Sequence, residues 1–204
     1  MRGRARKWLN HIANGAADSS KMTRRVSNSS IRVSPGQSLI APVIIEGLPA
    51  QIHALGQDWQ RKREFHLTAA SAKALERAGK DRDDLWDVVT EVASGRSMAP
   101  IQVGREIRRV SSADTPELRT LIVLADAPRL IELHRALSAA LGTELHPPPA
   151  HITLYSTDPD QGIGLDDERE LEERAPALTE DEQYEARQAM DFDRALPDDP
   201  DRGS

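Results

Sequence analysis

The sequence predicts a mixed α+β fold, and three observations carry that prediction. Residues 65–69 and 150–155 alternate apolar and polar side chains with period two, as half-buried strands do. Residues 128–141 place Leu130, Leu133, Leu137 and Leu141 on one helical stripe, with Pro128 at the start and Gly142 at the end. Strand and helix signals also follow one another along the chain instead of segregating, and 204 residues suffice for one sizeable domain or two small lobes sharing a core.

Taken in order, residues 1–36 hold Asn-Gly, Ser-Ser and Ser-Pro-Gly turn signals and little apolar periodicity beyond Trp8, Leu9 and Ile12. The expectation there is a disordered basic arm without packed contacts. Residues 39–45 read as a strand that Pro42 splits or confines to an edge, because proline cannot donate to a ladder. After the strand at 64–69, Ser71 caps a short helix carrying Leu75 and Ala78 and ending at Gly79. Asp81 or Asp83 caps the next helix, whose Leu85, Val88, Val89 and Val92 recur at helical spacing before Gly95. Strand-like runs follow around 101–110 and 119–124, then the Leu-striped helix. Pro147, Pro148 and Pro149 forbid helix and lead extended into the strand at 150–155. Beyond it the chain is acidic and loop-like, with one amphipathic helix near 168–175 and fraying from Leu196. The organisation read from this is an arm (1–36), a domain (37–165) and an acidic, partly helical to disordered tail (166–204).

Charge divides the same way. Up to Pro35 there are eight Lys/Arg and one acid, and from Asp158 onward seventeen acids and five Arg, so the net charge of −6 says little about partners. The basic arm admits three readings: an organellar transit peptide, a nucleic-acid backbone contact through Arg2, Arg4, Arg6, Lys7, Arg24 and Arg25, or a solvated tail. With no cysteine, the chain has no disulfide framework, zinc ribbon or thiol nucleophile. No apolar run approaches the ~18 residues that span a bilayer. The expectation is a cytoplasmic monomer without membrane contact.

His66-Leu67-Thr68 and His151-Ile152-Thr153 lie 85 residues apart, each on an expected strand. Alternation puts His66 and Thr68 on one face and Phe65, Leu67 and Ala69 on the other, and it groups His151 and Thr153 with Tyr155 in the same manner. A Thr two places after a given His arises by chance about one time in twenty, so two such pairs among six histidines are expected only a few per cent of the time. The chemistry makes the pairing meaningful. Cleaving a phosphodiester needs one group to take a proton from the attacking oxygen and another to protonate the leaving oxygen. Two imidazoles with pKa near ~6.5 do both at neutral pH. Threonine hydroxyls beside them donate to the charged phosphate oxygens. Neither role calls for a metal or another cofactor.

In these stretches, FHLTA at 65–69 and HITLY at 151–155, the chain resembles the 2H phosphoesterase superfamily, named for two His-x-Thr-x motifs (RNA 2′,3′-cyclic phosphodiesterase and 2′–5′ RNA ligase-like). The helix at 128–141 and its proline-rich exit are similar too, and the resemblance covers roughly residues 39–165. It implies a bilobal, pseudo-symmetric fold with two antiparallel sheets facing a central cleft and helices outside. It also implies hydrolysis or transfer at 2′,3′-cyclic or 2′–5′/3′–5′ phosphodiesters, with RNA ends or small cyclic nucleotides as substrates and no cofactor. His66, Thr68, His151 and Thr153 would be its catalytic residues. Ala69 is smaller than the residue usual there, and no strand follows the second motif.

Other residues admit roles at such a site. Tyr155 either stacks on a base or donates to phosphate, or is structural. Arg61, Lys62 and Arg63 either draw phosphate to the cleft rim or form a solvated turn. Gly162 and Gly164 let a backbone approach a ligand or shape a turn. His134 reads as a packed structural histidine, and His53 and His11 as loop residues. His146 and His151, splayed by the prolines, make a poor metal pair without a third ligand.

Overall fold

A computed structural model of the chain describes residues 24–26 and 30–195. It is mixed α+β, with the strands in one antiparallel sheet that curls into a half-barrel. The strands are β1 (Arg24–Val26), β2 (Leu39–Val43), β3 (Gln51–Ala54), β4 (Gln57–Arg61), β5 (Phe65–Ala70), β6 (Ile101–Ser111), β7 (Arg119–Asp126) and β8 (His151–Ser156). The helices are α1 (Ala72–Ala78), α2 (Leu85–Ala93), α3 (Arg129–Leu141), α4 (Glu168–Arg174), α5 (Glu180–Ala189) and α6 (Phe192–Ala195).

β8 is the hub. Along one side it pairs with β7. Along the other it pairs near its start with β5, through Leu67 opposite Ile152, and near its end with β4, through Arg61 opposite Tyr155 and Gln60 opposite Ser156. The sheet therefore forks, one branch continuing from β5 to β2 and the other from β4 to β3. This corrects the expectation of two sheets: both His-x-Thr strands belong to one hydrogen-bonded sheet and are neighbours in it.

The expected strand at 39–45 is β2, and β5 is the one strand it pairs with, which leaves Pro42 near an edge as its missing N–H requires. The hairpin β3–β4 was not foreseen. Its turn, Leu55-Gly56, takes positive φ at both residues (54° and 73°), and Leu55 N–H donates to the Glu185 carboxylate at 2.7 Å, a contact 130 residues away. His53 accordingly lies in β3, paired with Asp58 across the hairpin at 2.7 Å, and is not a loop residue. Ser71 caps α1 as expected. α2 starts after Asp84, whose carboxylate is taken by Arg82 rather than by the helix end. Gly142, at φ 68°, closes α3 in the left-handed conformation glycine tolerates.

The main core fills one face of the sheet: Leu67, Leu121, Val123, Ile152, Leu154 and Tyr155 meet Leu130, Leu133, Leu137 and Leu141 of α3. A second, smaller cluster joins Val110, Leu118 and Ile122 to Ile163, Leu165, Leu171 and Ala175. Both expected tails are thereby corrected where they are described. Residues 24–26 form a strand on β6, Ile31 is buried in the core, and Arg32 bridges to Ile40. Ala186, Met190 and Phe192 are fully buried, so residues 168–195 of the acidic segment form an amphipathic cover whose few apolar residues complete the core. Scattered among charges, those residues carry too weak a pattern to be read as core in advance. Residues 1–23 and the stretch from Leu196 lie outside the described residues.

Candidate active site

Leu67 and Ile152, opposite one another and fully buried, point the odd face of β5 and the matching face of β8 into the core. Their neighbours consequently emerge together on the other face. The antiparallel register sets His66 beside Thr153 and Thr68 beside His151, which makes the four residues a two-by-two patch. Directly opposed Cβ atoms in such a ladder are about 5 Å apart and diagonal ones about 7–8 Å, so the two imidazoles stand on a diagonal that a phosphate group can bridge. The sheet thus brings the four sequence-predicted residues together. Both threonines are half-buried, and among the described residues neither hydroxyl is engaged in a hydrogen bond.

The two histidines differ in setting. His151 is 6% exposed, and its Nδ1–H donates to the Pro149 carbonyl at 2.7 Å, which leaves Nε2 as the lone-pair nitrogen. Burial pushes its pKa below the ordinary histidine value; the Pro149 bond works against this and the nearby His66 adds to it. The proline run predicted as an extended lead therefore also supplies the carbonyl that orients the ring. His66 is half-buried, with Nδ1 buried and unpartnered among the described residues. Burial lowers its pKa as well, opposed by Glu64 and assisted by Lys62 and Arg32.

Tyr155 does not belong to this patch. β8 carries a bulge: Thr153 opposes Ile122, but the next pair is Tyr155 with Leu121, so Leu154 is an extra residue. The alternation slips by one, and Tyr155 turns into the main core with Leu121 and Ile152. It is fully buried, its hydroxyl donates to the Pro49 carbonyl at 2.9 Å, and burial pushes its phenol up to about 12. The expectation that it contacts substrate is corrected on that ground.

The basic run before the first motif is neither a solvated turn nor a free phosphate trap. Lys62 is half-buried, and its Nζ donates to the Pro159 and Gln161 carbonyls at 2.6 and 2.9 Å, clamping the loop after β8. Burial lowers its pKa, against the pull of Asp160 and Asp158. Arg63 pairs with Asp160 of the same loop at 3.0 Å. Past that loop, Ile163 and Leu165 sit in the second cluster, and Gly162 and Gly164, exposed and without positive φ, alternate with them in an irregular stretch that is not a turn. His134, 2% exposed, donates from Nε2 to the Ala69 carbonyl at 2.7 Å and ties α3 to β5, the structural role expected of it. Glu64 and Arg32, an ion pair beside His66, were missed. Glu64 was legible, standing two residues before His66 on the same strand phase; Arg32 was not, because nothing local connects residue 32 to residue 66. Among the described residues no group of three or more His, Asp or Glu is arranged to hold a metal ion. No protein-family model, curated protein or solved structure matches the chain.

Proposed function

We propose that this protein is a metal-independent phosphodiesterase of the 2H type, acting on 2′,3′-cyclic or 2′–5′/3′–5′ phosphodiesters of RNA ends or small cyclic nucleotides in the cytoplasm. The single observation that supports this best is the Leu67–Ile152 register, which sets two His-x-Thr motifs side by side on one face of the sheet. The local order β2–β5–β8–β7 also suits a pseudo-twofold relation between two lobes, with the axis passing between Leu67 and Ile152.

His151 is the base in this reading, because its proton is held on Nδ1 by Pro149 and its Nε2 is free to accept. It takes a proton from water as the water oxygen bonds to phosphorus. His66 is the acid: the Glu64 carboxylate favours its charged form, and it protonates the ribose oxygen as the P–O bond breaks. Thr68 and Thr153 donate to the non-bridging oxygens, where negative charge grows. Buried as they are, both imidazoles rest neutral near pH 7, and the bound phosphate anion draws a proton back onto His66.

Turnover of adenosine 2′,3′-cyclic phosphate in excess EDTA tests the proposal, with 2′–5′ dinucleotides and cyclic dinucleotides as a panel. Undiminished rates under chelation, abolished in His66→Ala, are expected. Loss of activity on chelation with His66→Ala still active would overturn it, and phosphate binding without turnover would assign the cleft to a binding module instead.

A further inference from the structure

Arg32 opens a row of residues that leads into the site. Its N–H donates to the Ile40 carbonyl at 2.8 Å and Ile40 N–H returns a bond to the Arg32 carbonyl at 3.3 Å, so the two side chains share a face. Ile40 opposes Thr68, and Thr68 flanks His151, which extends the row across β2, β5 and β8. The neighbours of Arg32 agree: Ile31 and Val33 pack in the core on the other face. At one strand spacing of about 4.8 Å per step, the Arg32 backbone stands about 10 Å from that of Thr68. Its guanidinium pairs with Glu64, two residues before His66, and both charges act on that imidazole.

We propose that Arg32 binds a second phosphate of the substrate, one nucleoside away from the phosphate held between His66 and His151, and that the substrate class is therefore a short or cyclic oligonucleotide rather than a mononucleotide. This rests on the phosphodiesterase reading above. The side chains of the ion pair are 60% and 49% exposed, and exposed pairs contribute little, so a phosphate displaces Glu64 from the guanidinium at small cost. A phosphate accepts from the guanidinium fork bidentately and carries the stronger charge-assisted bonds. Of the other cations nearby, Lys62 is held by two carbonyls, and Arg63 pairs with Asp160 of the loop after β8, outside the row that Arg32 opens. Once Arg32 turns to phosphate, Glu64 is left facing His66 alone, in the position that favours the protonated acid.

The experiment compares adenosine 2′,3′-cyclic phosphate, with one phosphate, and adenylyl-adenosine 2′,3′-cyclic phosphate, with two. Wild type is expected to show a kcat/KM at least about tenfold higher for the second substrate, with a steeper dependence on salt. Arg32→Gln should raise KM about tenfold more for the two-phosphate substrate than for the one-phosphate substrate and remove the difference in salt slope, because any effect through the His66 imidazole falls on both alike; Arg32→Lys should recover part of the difference. Equal losses on both substrates, or none, overturn the inference while leaving the phosphodiesterase reading intact. If wild type turns over neither substrate, the phosphodiesterase reading fails instead, and titration of fluorescently labelled 5′-phosphorylated adenylyl-adenosine at low salt decides Arg32. Weaker binding to Arg32→Gln by about tenfold then keeps it as a phosphate ligand, and equal binding removes it.

Discussion

The carbonyl of Pro149 and the carboxylate of Glu64 give two chemically identical side chains different work. A carbonyl acceptor holds the Nδ1 proton of His151 in place and leaves Nε2 basic, whereas a carboxylate stabilises imidazolium at His66. If the proposed reaction is right, His66→Ala and His151→Ala should each lower turnover by about 10²–10⁴, and the double variant should fall well short of the product, since both groups would serve one transition state. Steady-state kinetics on the three variants checks this. The proposed reaction needs one imidazole neutral and the other charged, so its pH profile should be a bell. Burial lowers both values, hence the kcat/KM optimum of the free enzyme should lie below about pH 6.5. Glu64→Gln withdraws the group that raises the His66 value, so the high-pH limb should move down. A limb that stayed in place would reverse the acid and base assignment.

At the scale of elements, the decisive device is the bulge in β8. One extra residue, Leu154, separates the His151–Thr153 phase of the strand from its structural end and sends Tyr155 into the core. Tyr155→Phe should therefore act on stability and not on substrate. Losing the hydrogen bond to Pro49 should cost about 1 kcal/mol, read as a lower denaturant midpoint, while KM stays within about twofold. A KM rise without loss of stability would restore Tyr155 to the site. His134 works at the same scale, fastening α3 behind β5 at Ala69, next to Thr68. The hairpin turn at Leu55 depends in the same way on Glu185 of α5, which is why that turn had no local signal.

For the whole molecule, three buried or half-buried histidines couple folding to pH. Burial lowers the pKa of His66, His134 and His151 in the folded state. Between those lowered values and the unfolded value near 6.5 the unfolded chain binds more protons, so stability rises with pH through that window. Above it the histidines are neutral in both states and their effect vanishes; as pH falls below about 6.5 stability is lost. Thermal melts from pH 8 to pH 5 should show this decline, and His134→Gln, which keeps an N–H donor for Ala69 but cannot titrate, should flatten it by at most about 1.4 kcal/mol per pH unit. An unchanged slope would mean that His134 does not contribute. The two His-x-Thr strands, α3 with its leucine stripe and the mixed α+β class were all legible in the sequence, because period-two and period-3.6 patterns are local properties of the chain. Only the tertiary structure decided that β5 and β8 are neighbours in one sheet, that a bulge removes Tyr155 from the patch, and that residues 24–26, 30–33 and 168–195 complete the body of the fold. Those outcomes depend on pairings between residues far apart in the chain: Leu67 with Ile152, Arg32 with Ile40 and Glu64, and Leu55 with Glu185. Register, burial and ion pairing of that kind arise from packing the elements together, and no local periodicity encodes them.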